Sequence, residues 1–186
     1  VQMTCPCRLA VSIASMIACS VTSTTAKRSR KCSSTRRRTF GKETGLPIIA
    51  AWATLAVTAT GAKEPRAAAL RVAPEEATTV VKCGARGVVL RNKGRLFQIE
   101  AFPLPAPIRD TVGAGDSFAA AFLYFLICGL PAEWCAVLGA ANGASTVLYT
   151  GGTAGQLDRM GLAAFLRGYR IIDSGDGTIR VERARN

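Results

Sequence analysis

One stretch constrains this chain more than any other: Asp110-Thr111-Val112-Gly113-Ala114-Gly115-Asp116-Ser117-Phe118, which runs into an apolar segment ending at Cys128. A turn of small residues that passes straight into an apolar helix leaves backbone N–H groups unpaired at the helix start. Those donors, with the positive end of the helix dipole, make an anion site. Gly113 and Gly115 tolerate positive φ and close approach, so successive N–H groups can line a concave nest. A carboxylate in such a place needs a task. General base fits: Asp116 takes a hydroxyl proton while the nest holds charge building on a transferred phosphoryl group. The plainer alternative is a glycine-rich turn that Asp116 merely caps.

Charge divides the 186 residues unevenly. Residues 1–74 carry 12 Lys and Arg against two acids, whereas residues 75–186 carry 12 against 10. The excess of positive charge is therefore a property of the upstream segment and says little about the downstream chemistry. Histidine is absent, which excludes His-based acid–base catalysis and His metal ligands. The seven cysteines follow no regular spacing. Cys83, Cys128 and Cys135 sit in apolar patterns and read as small core residues of a reducing, cytoplasmic compartment.

Residues 1–75 read as a low-complexity basic segment, disordered or non-native. The apolar run at 9–21 is shorter than the roughly 18–20 residues a membrane span needs, so no membrane partner is expected. The basic run at 27–38 follows it, the reverse of a secretory signal. An organelle transit peptide and a nucleic-acid-binding arm are the functional alternatives for that run. No Asp or Asn precedes Asn92, although folded α/β segments normally use both at turns and caps. A wrong reading frame, an unspliced intron or a truncated gene would produce such a segment. Within it, residues 48–57 can form one short helix or strand.

From Pro74 the texture changes. Strands are expected at 78–83, 88–91 and 95–100, with Asn92-Lys93-Gly94 as a hairpin turn. Prolines at 103, 105 and 107 force an extended segment that delivers the chain to Asp110. Helices are expected at 115–128, stopped by Gly129, then from Pro131 to about 149, then over 157–166. The tail, 171–186, is turn-rich, with a short edge strand at 178–181.

The motif Asp110 to Phe118 resembles the C-terminal signature of the ribokinase-like (PfkB) carbohydrate kinases. Two further segments agree in order: Val81-Lys82-Cys83-Gly84-Ala85-Arg86-Gly87, and Ala140-Ala141-Asn142-Gly143-Ala144-Ser145 followed by Thr150-Gly151-Gly152-Thr153. The resemblance covers about residues 78–167. It implies an α/β fold, the C-terminal part of a three-layer α/β/α ribokinase-like domain, with a partial kinase domain at 76–170. It implies an ATP-dependent phosphotransferase acting on a sugar or related alcohol, with Mg2+ and, in members that use one, a monovalent cation such as K+. Carried over, Asp116 is the catalytic base, and Gly113, Ala114 and Gly115 form the anion hole. Gly84, Gly87 and Asn142 border the nucleotide, and Asp110 with the Val112 backbone faces the cation. The sugar-binding half of such kinases has no counterpart upstream. Neither has their Asn-x-x-Glu element, which helps place Mg2+. A truncated kinase, or an inactive fragment that only binds nucleotide, is therefore the expectation, with nucleic-acid binding through 27–38 as a lesser one.

Overall fold

A computed structural model describes residues 48–184. The apolar run at 9–21 and the basic run at 27–38 lie outside the described residues. β1 (Ile48–Trp52) leads into helices α1 (Ala53–Thr60) and α2 (Pro65–Arg71). β2 (Thr78–Lys82), β3 (Val88–Asn92) and β4 (Arg95–Ile99) follow, with a 3-10 turn at Gly84–Arg86. Three helices come next: α3 (Ala114–Ile127), α4 (Ala132–Thr146) and α5 (Arg159–Leu166). β5 (Tyr169–Asp173) and β6 (Thr178–Arg183) close the chain.

The six strands form one mixed sheet in the order β1-β2-β3-β4-β6-β5. Alternation along the central strands sends side chains to two different cores, as a period of two requires. Val80, Val88 and Leu90 face a large core with Phe118, Phe122, Phe125, Val137 and Leu138. Val81 and Val89 face a smaller one with Ala56, Ala68 and Ala69. α1 and α2 thus cover one face and α3 to α5 the other, giving three layers. Among the described residues, no helix is long and apolar enough to cross a membrane.

The register of β3 and β4 comes from the expected hairpin. Lys93 and Gly94 both have positive φ, 49° and 74°, as a two-residue primed turn demands. In α3, Phe118, Ala121, Phe122 and Phe125 are buried at the i, i+3, i+4, i+7 spacing of a core-facing stripe. α4 presents Gly139 and Gly143 to α3. A β-carbon at Gly139 would lie 2.9 Å from the carbonyl oxygen of Phe118, and one at Gly143 would lie 3.0 Å from that of Ala114. The two helices therefore touch through backbone, and this closeness fixes where α3 begins.

Three expectations are corrected. Residues 48–71 lie within the stretch read as disordered or non-native, yet they supply an edge strand and two helices. β1 pairs in parallel with β2 along its whole length, Ile48 opposite Thr78 through Trp52 opposite Lys82. The strand expected at the sheet edge, 178–181, lies inside it: β6 pairs in parallel with β4 and antiparallel with β5. The residues before it, read as a turn-rich tail, are the strand and turn of that antiparallel pair. Cys128 is exposed and Cys83 half-buried, so of these three Cys135 alone is a core cysteine. Its thiol is pushed up to about 12, first by burial.

Arg91 locks α2 to the sheet. It is 3% exposed, and its guanidinium donates to the carbonyls of Leu70 (2.8 Å), Ala73 (2.6 Å) and Pro74 (2.5 Å). These are the carbonyls at and beyond the C-terminal end of α2, which lack helical partners. Hydrogen bonds to a charged group contribute about 1.5–3 kcal/mol each. Arg91→Met should therefore lower the unfolding free energy by about 3 kcal/mol or more. Denaturant melts would show it, and proteolysis between residues 60 and 76 should accelerate.

Candidate active site

Open α/β sheets bind ligands beyond the carboxyl ends of their parallel strands. Here β1 and β2 end together at Trp52 and Lys82. The helix that begins above them, α3, starts at a left-handed Gly113 with φ 75° and ψ −8°. Its first intrahelical bond is Ser117 N–H to the Gly113 carbonyl at 2.8 Å. The N–H groups of Ala114, Gly115 and Asp116 precede it and, as at any helix start, have no acceptor one turn back. Ala114 N–H makes only a long 3.4 Å bond to the Thr111 carbonyl. Asp116 lies in this first turn with an exposed side chain. The expected nest and its carboxylate are thus brought together.

The turn is held from behind by a second glycine loop. Asp110 Oδ1 accepts from Val112 N–H at 2.9 Å, and Oδ2 accepts from Gly151 N–H at 3.0 Å. The N–H of Val112 and then that of Gly151 hold the Asp110 carboxyl below the usual carboxylate range. Arg109 N–H donates to the Val147 carbonyl at 2.9 Å, which pins the approach to the turn against the end of α4. Gly113 packs directly on Gly152. A β-carbon at Gly113 would overlap the Gly152 carbonyl oxygen and lie 2.6 Å from its Cα.

Beside the turn lies a cavity of about 250 Å³. Its walls come from the 3-10 turn (Gly84, Ala85, Gly87), the extended segment (Phe102, Leu104, Ile108), the start of α3 (Ala114, Gly115, Phe118) and α4 (Ala140, Gly143, Ala144). The extended segment keeps its place because Phe102 packs on Tyr169 at 5.0 Å between ring centroids, and the Tyr169 hydroxyl donates to the Pro103 carbonyl at 2.9 Å. Gly87, at φ 82°, passes so close to β4 that a β-carbon would overlap the Ile99 carbonyl oxygen. The lining is apolar except for Lys82, a composition suited to a flat aromatic base and not to a polyol.

Gly84 and Gly87 thus share one cavity with Ala114 and Gly115 of the turn, but Asn142 does not line it. Asn142 is 5% exposed. Its Nδ2 donates to the Ser117 carbonyl at 3.0 Å, and its Oδ1 accepts from Leu157 N–H at 2.8 Å. Both ends of the amide are thus spent on tying α4 to α3 and to the segment entering α5, and its neighbour Gly143 lines the cavity instead. A mid-helix Asn signals some specific contact, and here that contact is internal. Asn142→Leu, similar in size, would leave the Leu157 N–H without this acceptor and remove the added bond to the Ser117 carbonyl, which keeps its helical partner. It should cost about 1–3 kcal/mol in a denaturant melt, while nucleotide affinity measured well below the melting temperature changes little.

Two residues at the site depend on pairing that the local sequence does not reveal. Trp52 stands over Gly115, whose β-carbon would overlap the indole edge. Lys82 Nζ sits 4.3 Å from the centroid of that ring and 3.4 Å from the Gly115 carbonyl oxygen. Only the β1–β2 register sets these two side chains next to each other.

Known proteins share this sequence pattern and fold. The model of the pfkB family carbohydrate kinases matches residues 51–159. The acarbose 7(IV)-phosphotransferase of an Actinoplanes strain is 37% identical over 86 residues, which are 45% of this chain and 28% of that protein. The ribokinase of Arabidopsis thaliana, solved with ribose and ATP, matches with a TM-score of 0.58 and 26% identity, over 65% of this chain and 41% of that one. A Thermotoga maritima ribokinase matches with a TM-score of 0.56 and 27% identity, over 66% of this chain and 42% of that one. The chain thus spans less than half the length of each of these relatives.

Proposed function

Because this chain belongs to the pfkB family of carbohydrate kinases, we propose that it carries the ATP-binding and phosphoryl-transfer part of a kinase acting on a sugar or related alcohol. The observation that carries this reading is the contiguity of the two halves of the site. Ala114 and Gly115 belong both to the unpaired-donor turn and to the cavity wall. A base seated in the cavity, between Gly84, Gly87 and Gly143, would direct its phosphate chain along the rim toward the turn.

In this reading the turn performs three tasks. The N–H groups of Ala114, Gly115 and Asp116 face the oxygens of the transferred phosphoryl group, where negative charge concentrates. The helix dipole adds to that field. Asp116 accepts the proton of the attacking hydroxyl, and its exposed position leaves room for a substrate to approach. The Gly113–Gly152 contact and the Asp110 bonds keep the donors aimed without rearrangement during the reaction.

In this reading Mg2+ would be held largely by the substrate phosphates, since it takes oxygen ligands and keeps several waters. When bound it would neutralise charge on those phosphates. Among the described residues no group of three acidic or thiol side chains could hold a metal alone. A monovalent cation against Asp110 and the Val112 backbone would meet oxygen donors. Each Asp110 oxygen already accepts one N–H, which leaves its second lone pair for the ion.

One observation supports a second reading, nucleotide binding without turnover. Among the described residues the cavity offers no side-chain hydroxyl, amide or carboxylate to a sugar, so the acceptor pocket is not part of it. A phosphorylation assay with γ-labelled ATP over ribose, other pentoses, hexoses, nucleosides and acarbose separates the two. Label on any of these acceptors supports the kinase, and saturable ATP binding with no labelled acceptor supports the second reading.

A further inference from the structure

From the position of its ammonium group, we infer that Lys82 is a phosphate-contacting residue of this site, which binds the terminal phosphate of a nucleoside triphosphate while Trp52 holds it in place. This rests on the nucleotide-binding reading above. Lys82 ends β2 and lines the cavity, and its Nζ lies against the Gly115 carbonyl at the start of α3. It therefore stands where the cavity meets the donor turn, between a bound base and Asp116.

Three features separate this lysine from a solvated surface charge. First, its ammonium is confined. It lies 4.3 Å from the Trp52 ring centroid, within the range in which a cation is attracted to an aromatic face. Trp52 in turn rests on Gly115, where any side chain would displace it. Second, its donors are poorly used. An ammonium has three N–H groups, and among the described residues it makes one hydrogen bond, of 3.4 Å. Third, burial disfavours its charge more than Asp116 favours it, so its pKa is lowered. A partly desolvated, underused cation beside an unpaired-donor turn gains from an incoming polyanion. The α3 turn supplies neutral donors, and Lys82 supplies the net charge they lack.

The test is a fluorescence titration of the full-length Trp134→Phe chain, which leaves Trp52 as its single tryptophan. ATP and ADP are titrated separately into this protein and into its Lys82→Met and Lys82→Arg derivatives, with melting curves to verify folding. Lys82→Gln serves if Lys82→Met does not fold. Loss of one charge-assisted contact should raise the Kd for ATP by about tenfold to a hundredfold. The Kd for ADP should move far less, and Lys82→Arg should recover most of the loss. Unchanged ATP affinity in folded Lys82→Met, or equal weakening of ATP and ADP, overturns the role of Lys82 and leaves the nucleotide site standing. Failure of the parent protein to bind either nucleotide overturns both.

Discussion

Asp116→Asn should reduce phosphoryl transfer by about 10²–10⁴-fold, the usual contribution of a general base, while nucleotide affinity stays within a few fold. The substitution keeps the shape of the side chain and its place in the first turn of α3. The N–H groups of Ala114, Gly115 and residue 116 remain, so the proposed phosphate site remains. What disappears is the group proposed to take the hydroxyl proton. Asp116 is exposed, and its favourable interaction with the helix dipole is worth only about 0.3–1 kcal/mol. Stability should therefore barely change, which separates this variant from one that inactivates by unfolding. If the chain transfers no phosphate even as wild type, the same variant should still bind ATP like its parent.

Gly113→Ala should be among the most damaging single-methyl changes in the site. Gly113 has φ 75°, a left-handed conformation that costs an alanine about 1–2 kcal/mol. The added carbon would also overlap the Gly152 carbonyl oxygen and lie 2.6 and 2.7 Å from the Gly152 Cα and carbonyl carbon. Those are backbone atoms of a loop already tied to Asp110, so they cannot rotate away. Overpacking of this kind adds roughly 1–3 kcal/mol. A total of about 2–5 kcal/mol corresponds to a fall in Tm of roughly 10 °C for a chain of this size. Transfer should be lost with it, because the donors of α3 move when the loops part. Gly115→Ala is the informative contrast. Its new carbon meets the end of the half-exposed Trp52 ring, which can swing outward, and Lys82 Nζ at 3.2 Å. It should disturb the rim while leaving Tm nearly intact.

The parts of this site that were legible in the sequence are those set by local rules. Gly113, Gly115 and the apolar stripe of α3 declare a turn and a helix within a few residues, and Lys93-Gly94 declares its hairpin in two. Residues 48–71 obey no such rule. α1 and α2 bury only small side chains, Ala56, Ala68 and Ala69, against Val81 and Val89. An amphipathic face written in alanine does not stand out from an Ala/Thr-rich background. β1 is half-exposed along its length and is a strand because β2 pairs with it. The same pairing creates the Trp52–Lys82 contact, which neither residue announces alone. For Asn142 the sequence pointed to the nucleotide, or to a mid-helix amide facing solvent. Only the packing of α3 and α5 shows that it is buried and that its partners are Ser117 and Leu157. β6 was misplaced at the edge because β5 lies beyond it, and antiparallel pairing of two short strands leaves little mark on composition.

Amide hydrogen exchange of the full chain, with and without Mg-ATP, tests most directly whether the cavity and the turn form one nucleotide site. The account predicts that ATP slows exchange at Gly84–Arg86 and at the Ala114, Gly115 and Asp116 amides together. The sheet amides of β3 and β4, already bonded to one another, should change little. Slowing at neither segment, or at the 3-10 turn without the start of α3, would contradict it.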